Sequence, residues 1–176
     1  MRTMEDACCA LRGTKVAPYP DCVRLPPAHG LMTNISSIAL HKNESQMEPS
    51  KINIVVVAGS LERLQMAAMV ASVGAVSGNA VSVFLSMNAL AYFVKGSDAT
   101  PPAEGAFGAR MAGKKIPDFR TLIEQAVDLG DAKVSPCSMA MDVMAIESSA
   151  LPSYFGPPLG LTKFLDDARD TQIFTF

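Results

Sequence analysis

The sequence predicts an α/β protein with a mainly parallel sheet of four to five strands and helices on both faces of the sheet. Two observations support this fold class. From about residue 51 to residue 176, short runs of aliphatic residues alternate with longer segments of helical periodicity. The first run, 52–58, is almost wholly apolar, which is typical of a strand buried on both faces. Strands joined by helical crossovers run parallel, and the crossing helices cover the sheet.

The first half of this predicted domain contains two strands and two helices. The strand 52–58 ends at Gly59-Ser60, and Ser60 is a candidate N-cap for a helix over 61–77. Gly78-Asn79 ends that helix. A second strand is predicted at 80–85 and a short helix at 88–94.

The second half begins with a connection over 95–117, rich in Gly, Pro and Ala, which we expect to be a functional or mobile loop. Asp118 caps a predicted helix that runs to Leu129 and is closed by Gly130. The remaining elements are a third strand at 133–137, helices at 138–146 and 162–169, and a final strand at 172–176. A further short strand near 151–155 is left open.

One uncharged stretch raises the question of a membrane. No charged residue occurs from Leu64 to Val94, a length that could span a bilayer. Ser77-Gly78-Asn79 interrupts the stretch, and further Ser, Gly and Asn residues are interspersed along it. We therefore expect a soluble protein without stable membrane insertion, and a membrane-associated protein is the alternative.

Composition narrows the function classes. The net charge is −2 with acidic and basic residues intermixed, so no basic stripe favours nucleic-acid binding.

Residues 1–50 are rich in proline and lack sustained periodicity, and we expect them to be a flexible N-terminal tail before a domain over 51–176. They mix charges and prolines with short apolar pieces, unlike a secretory signal, so we expect a cytoplasmic protein.

The histidines exclude several kinds of catalytic site. His29 and His41 are the only two in the chain, and both lie in the predicted tail. The predicted domain therefore offers no imidazole for a Ser-His-Asp triad, a Cys-His protease or a histidine-rich metal site. We expect no metal and no other cofactor.

Cys137 is the most promising chemical group. It is the only cysteine of the predicted domain, since Cys8, Cys9 and Cys22 lie in the tail and form no Cys-x-x-Cys pair. It stands where the third strand ends and the next helix begins, and ligands of parallel sheets gather at the carboxyl ends of the strands. The N–H groups and dipole of a helix N-terminus favour a thiolate. The alternative is a small buried apolar residue without reactivity.

The residues around Cys137 carry a family resemblance. Pro136 to Met144, Pro-Cys-Ser-Met-Ala-Met-Asp-Val-Met, resembles the Cys-x-Met-x-Met-Asp-x-Met-Gly signature of the DsrE/DsrF-like family. The first strand with its Gly59-Ser60 turn, residues 114–117 and residues 162–165 are similar in kind. The resemblance extends from about Lys51 to the C-terminus and implies a three-layer fold of the flavodoxin or Rossmann type.

The resemblance also implies a function. Family members include sulfurtransferases and sulfur carriers, in which the cysteine aligned with Cys137 holds sulfane sulfur as a persulfide and passes it on. It implies a homo-oligomer, a trimer or hexamer, with sulfur-donor and sulfur-acceptor proteins as partners. The alternative is a non-catalytic subunit of a sulfur-relay complex or a small-molecule binding module. Ala145 stands where the family often has Gly, and the predicted domain lacks the second cysteine of some members.

Other residues are candidates for holding the anionic groups of such a site. A persulfide is anionic, so we predict that it is stabilised by cations of the long connection and by the start of the following helix, with Arg110, Lys114, Lys115 and Ser138 as candidates. The alternative for these cations is a solvated surface. Gly59 and Ser60 are candidates for binding an anion at the N-terminus of the first helix, although Ser60 also suits a simple cap.

Overall fold

The structure is a computed structural model that describes residues 50–111 and 113–176. The predictions for the N-terminal tail, including those for its histidines and for Cys8, Cys9 and Cys22, fall on residues outside these ranges. The predicted boundary between tail and domain at residues 50 and 51 stays a prediction.

The described residues contain one four-stranded sheet with the order β3-β2-β1-β4. Its strands are β1 (Lys51–Val56), β2 (Ala80–Leu85), β3 (Lys133–Pro136) and β4 (Gln172–Thr175). Every neighbouring pair is parallel. The predicted fold class, a parallel sheet of four to five strands, is confirmed.

Six α-helices accompany these strands: α1 (Leu61–Val76), α2 (Met87–Leu90), α3 (Ala106–Met111), α4 (Phe119–Gly130), α5 (Ser138–Met144) and α6 (Leu161–Asp167). Short 3₁₀ helices follow at Ala91–Phe93 and Ser148–Ala150. Gly78, with φ 86°, ends α1 as predicted. Asp118 caps α4 as predicted, since its side chain accepts the Arg120 N–H at 3.3 Å.

Helices lie on both faces of the sheet. On one face, a Cβ added at Gly74 of α1 would lie 3.2 Å from Ile52 and 3.3 Å from Val81, so α1 packs closely on β1 and β2. On the other face, the ring of Phe84 in β2 stacks on Phe164 of α6 with 4.9 Å between centroids. We call these the α1 face and the α6 face. Side chains alternate between them along each strand.

The connection over 95–117 differs from its prediction, because it contains α3. The Glu62 carboxylate accepts the backbone N–H groups of Glu104, Gly105 and Gly108 at 2.8, 3.0 and 2.9 Å. These N–H groups lie at the start of α3, where intrahelical partners are missing. The cap of α3 therefore comes from a residue distant in the sequence, so no local pattern announced the helix.

One smaller prediction is also corrected, and one open question is answered. Gly130 is the last residue of α4, but the left-handed residue that ends the helix is Asp131, with φ 52°. Gly130 is needed for packing instead, since an added Cβ would lie 2.5 Å from the Ala75 side chain. Near 151–155 there is no strand; Phe155 forms an isolated bridge with Val134.

The uncharged stretch from Leu64 to Val94 folds into most of α1, then β2 and α2 with the 3₁₀ turn that follows. Among the described helices, none has the length and apolar character needed to cross a membrane.

Candidate functional site

Cys137 joins β3 to α5 at the carboxyl end of the sheet. Its backbone N–H donates to the Leu85 carbonyl at 2.8 Å, which extends the ladder between β3 and β2 by one step. Its own carbonyl accepts the Met141 N–H at 3.0 Å, the first hydrogen bond of α5. With φ −69° and ψ 120°, Cys137 is the N-cap residue of this helix.

The N-cap position leaves two donors near the Cys137 side chain. An N-cap side chain ordinarily accepts a hydrogen bond from the second or third residue of its helix, here Met139 and Ala140. The Cys137 side chain makes no such bond. Within the part of the chain that the structure describes, the N–H groups of Met139 and Ala140 meet no acceptor. A thiolate or persulfide at Cys137 would be an acceptor placed for these two donors.

Burial separates Cys137 from solvent. Only 4% of its surface is exposed, and it belongs to the hydrophobic core. The segment 156–160 flanks it, because the Ser138 N–H donates to the Leu159 carbonyl at 3.1 Å and the Leu159 N–H donates to the Pro136 carbonyl at 2.9 Å. A third bond, from the Gly156 N–H to the Val134 carbonyl at 2.8 Å, holds the segment to β3.

Among the described residues, no hydrogen bond or ion pair joins the predicted cations to the Cys137 side chain. Lys114 lines a cavity of about 160 Å³ with Leu61, Gln65 and Asp118, next to the N-terminal half of α1. The side chains of Arg110, Lys114 and Lys115 are exposed and form no hydrogen bond or ion pair with any described residue. Their role at a persulfide stays a prediction without support from the geometry. Ser138 is the first residue of α5 and is half-buried beside Cys137.

Gly59 and Ser60 lie at the carboxyl end of β1, in an open cavity of about 400 Å³ that Arg63, Asn88 and Tyr92 also line. The Glu104 carboxylate already lies at this place. The Ser60 hydroxyl donates to Glu104 at 3.3 Å, and Arg63 pairs with Glu104 at 3.2 Å. The first N–H of α1, that of Leu61, donates to the Pro102 carbonyl at 2.9 Å. These contacts oppose a bound anion, and the prediction of an anion site here gains no support.

Sequence reasoning missed Ser86, which directly follows β2 at the same edge as Cys137. Its backbone N–H donates to the Val56 carbonyl at 2.9 Å, so it continues the sheet by one residue. The next residue, Met87, has φ 47°, a left-handed conformation that is uncommon outside glycine and that turns the chain sharply into α2. A polar residue immediately after a buried strand was the available signal.

Comparisons with known proteins agree with the predicted family. Residues 102–176 match the model of the DsrE/DsrF/DrsH-like family. Among solved structures, the chain is similar to the crystal structure of the ychN protein from E. coli, with a TM-score of 0.54 and 17% identity over 73% of this chain and 100% of that one. No curated protein matches. At this level of identity the ychN structure supports the fold alone. The resemblance is thereby confirmed for residues 102–176, which include Cys137 and match the model of the DsrE/DsrF/DrsH-like family.

Proposed function

We propose that the protein is a sulfur carrier or sulfurtransferase that holds sulfane sulfur as a persulfide on Cys137 and passes it to a partner protein. A sulfur-relay role is what the family suggests. The observation that carries the proposal is the N-cap position of Cys137, with two N–H donors of α5 that lack acceptors among the described residues. An anionic sulfur at this position satisfies those donors, whereas a neutral thiol leaves them open.

The chemistry needs no imidazole. The Cys137 thiolate attacks the outer sulfur of a donor persulfide; a new S–S bond forms to Sγ, the S–S bond of the donor breaks, and the donor leaves as a thiolate with the bonding electron pair. Transfer to the acceptor repeats the step in the other direction, with the acceptor thiolate as nucleophile. No net oxidation occurs, because the sulfane sulfur moves between thiolates.

Access to Sγ requires a local opening, because Cys137 is buried. The segment 156–160 is the part of the chain whose displacement we expect to expose it. Three backbone hydrogen bonds hold this segment to residues 134–138, and Pro157 and Pro158 at its centre are exposed. Local openings that involve only a few residues are common in segments with few buried contacts.

The partners in this proposal include further copies of the chain, as a trimer or hexamer. Large apolar side chains are exposed along one side of α1, at the residues Met66, Met69, Val73 and Val76. Exposed apolar surface of this kind is typical of an interface. The donor and acceptor are proteins that present a persulfide or a thiol.

The burial of Cys137 favours a second candidate function. In a non-catalytic subunit or a small-molecule binding module, the thiol is an unreactive part of the core. Such a protein keeps its assembly and gains no sulfur on Cys137.

Mass spectrometry separates the two candidates. After incubation of the full-length protein with polysulfide, we expect the peptide that contains Cys137 to gain the mass of a sulfur atom. In a Cys137→Ser variant this gain is lost while the thermal unfolding curve stays similar, and a Cys22→Ser variant is the matched control that keeps it. A folded wild-type protein whose Cys137 stays unmodified would support the non-catalytic function instead.

A further inference from the structure

The hydroxyl of Ser86 belongs to an almost fully buried residue and has no assigned role. Ser86 has only 4% of its surface exposed. It is the N-cap residue of α2, yet its side chain does not cap that helix. Nor does its hydroxyl form a hydrogen bond with any other residue that the structure describes. A hydroxyl without a partner in an almost fully buried residue is a donor that remains available to a neighbouring group.

Register places Ser86 beside Cys137. Leu85 of β2 pairs with Pro136 of β3, and each next residue continues its strand by one step. The bond from the Cys137 N–H to the Leu85 carbonyl, 2.8 Å long, shows that the ladder still holds there. Ser86 is extended, with φ −139° and ψ 172°. Neighbouring strands lie about 4.8 Å apart, so the two residues are direct neighbours on adjacent strands at the carboxyl end of the sheet.

Both side chains belong to the α6 face. Side chains alternate along a strand, so Ser86 shares a face with Phe84, whose ring stacks on Phe164 of α6. Residues in register on parallel strands point to the same face, and Ser135 of β3 pairs with Phe84. Two residues further along each strand, Ser86 and Cys137 follow the same alternation. The hydroxyl and the thiol therefore project side by side.

The hydroxyl is also not fully sealed. Among the described residues, every completely buried side-chain oxygen or nitrogen has a hydrogen-bond partner. Since the Ser86 oxygen has none there, it keeps a small contact with solvent. The Ser86 oxygen thus lies at the margin of the core rather than in its middle.

We propose that Ser86 is a positioning residue for Cys137, whose hydroxyl donates a hydrogen bond to the sulfur once the thiol is ionised or carries a persulfide. This inference rests on the proposed function and adds a third donor, from a different strand, to the two N–H groups of α5. A donor from β2 fixes the direction of the sulfur relative to the sheet, which the N-terminus of α5 alone does not do.

The test is the pH dependence of Cys137 alkylation by iodoacetamide in the full-length protein, followed on the peptide that contains Cys137. Loss of a hydrogen bond to the charged sulfur disfavours the thiolate. We therefore expect Ser86→Ala to move the midpoint of the alkylation-rate profile upward by about one pH unit. The alkylation rate near pH 7 should fall about tenfold. Ser86→Thr keeps a hydroxyl and should retain the wild-type midpoint. Ser82→Ala, on the same strand and face but far from Cys137, is the matched control.

The outcomes separate this inference from the proposed function. A wild-type midpoint in Ser86→Ala overturns the positioning role, and so does an equal shift in Ser86→Thr, which would trace the effect to packing. A wild-type protein that never gains sulfur overturns the proposed function, while the alkylation profile still decides whether Ser86 acts on the thiol.

Discussion

Ala145 shows at the scale of one residue how the sequence departs from the family signature that it resembles. The resemblance places a glycine at this position, and the structure gives Ala145 a left-handed backbone with φ 51° and ψ 44°. A helix commonly ends with a residue in this conformation, and glycine adopts it without the steric cost that a Cβ brings. Ala145 therefore ends α5, the helix that begins at Cys137, with local strain.

An Ala145→Gly substitution should stabilise the protein by about 1 kcal/mol, because the strain exceeds the extra entropy that glycine loses on folding. Urea unfolding measures the difference in the free energy of unfolding. Ala109→Gly, at an exposed position inside α3, is the control and should destabilise by about 0.5–1 kcal/mol. A loss of stability in Ala145→Gly would contradict the strain argument.

At the scale of elements, Glu62 joins α1 to α3. The backbone N–H of Glu104, with those of Gly105 and Gly108, lowers the pKa of the Glu62 carboxyl below 4.5. Gly108 permits this approach, since an added Cβ would lie 2.1 Å from a Glu62 oxygen. The Glu62 carboxylate thus helps to hold the connection that carries Arg110, Lys114 and Lys115 against α1, beside the contacts that Glu104 makes with Ser60 and Arg63.

A lowered pKa means that the ionised Glu62 stabilises the fold above the unfolded-state pKa, and that this contribution is lost as the pH falls through the lower folded-state pKa. We expect Glu62→Gln to unfold at a lower temperature than the wild type at pH 7, and the difference to shrink as the pH falls below 4.5. Thermal unfolding across this pH range checks both statements.

Glu104→Gln is the matched control for this prediction. This substitution removes the Glu104 carboxylate, which lies in the same connection and pairs with Arg63. Both side chains of that pair are about half exposed, and exposed ion pairs contribute little to the free energy of unfolding. A difference between Glu62→Gln and wild type that persists unchanged at pH 3 would contradict the role assigned to the Glu62 charge.

At the scale of the whole molecule, the exposed apolar side of α1 bears on assembly. Met66, Met69, Val73 and Val76 recur at helical spacing, and 46–66% of the surface of each is exposed. No charged residue occurs along α1 after Arg63. Burial of this stripe between copies of the chain would remove it from water at a gain of roughly 25 cal/mol per Å².

If this side of α1 is the subunit interface, Val73→Asp should reduce the mass of the protein in solution, measured by light scattering, from that of an oligomer toward that of one chain. A buried unpaired carboxylate opposes association strongly. Ser77→Asp, exposed just beyond the end of the same helix, is the control and should keep the assembly. Wild-type protein with the mass of a single chain would refute the proposed oligomer.

The sequence by itself determined the parallel α/β fold, the order of its strands and helices along the chain, and the position of Cys137 between a strand and a helix. These features depend on signals within a few residues, such as the apolar run of β1, Gly78 and the Asp118 cap. The family resemblance was likewise readable, because the motif around Cys137 is continuous.

Only the tertiary structure decided which distant residues meet. Glu62 caps α3 from more than forty residues away, Gly130 gives room to Ala75, and Ser86 comes to lie beside Cys137 through the register of β2 and β3. A local pattern records the conformation of a segment, whereas the partner of a side chain depends on how all the segments pack.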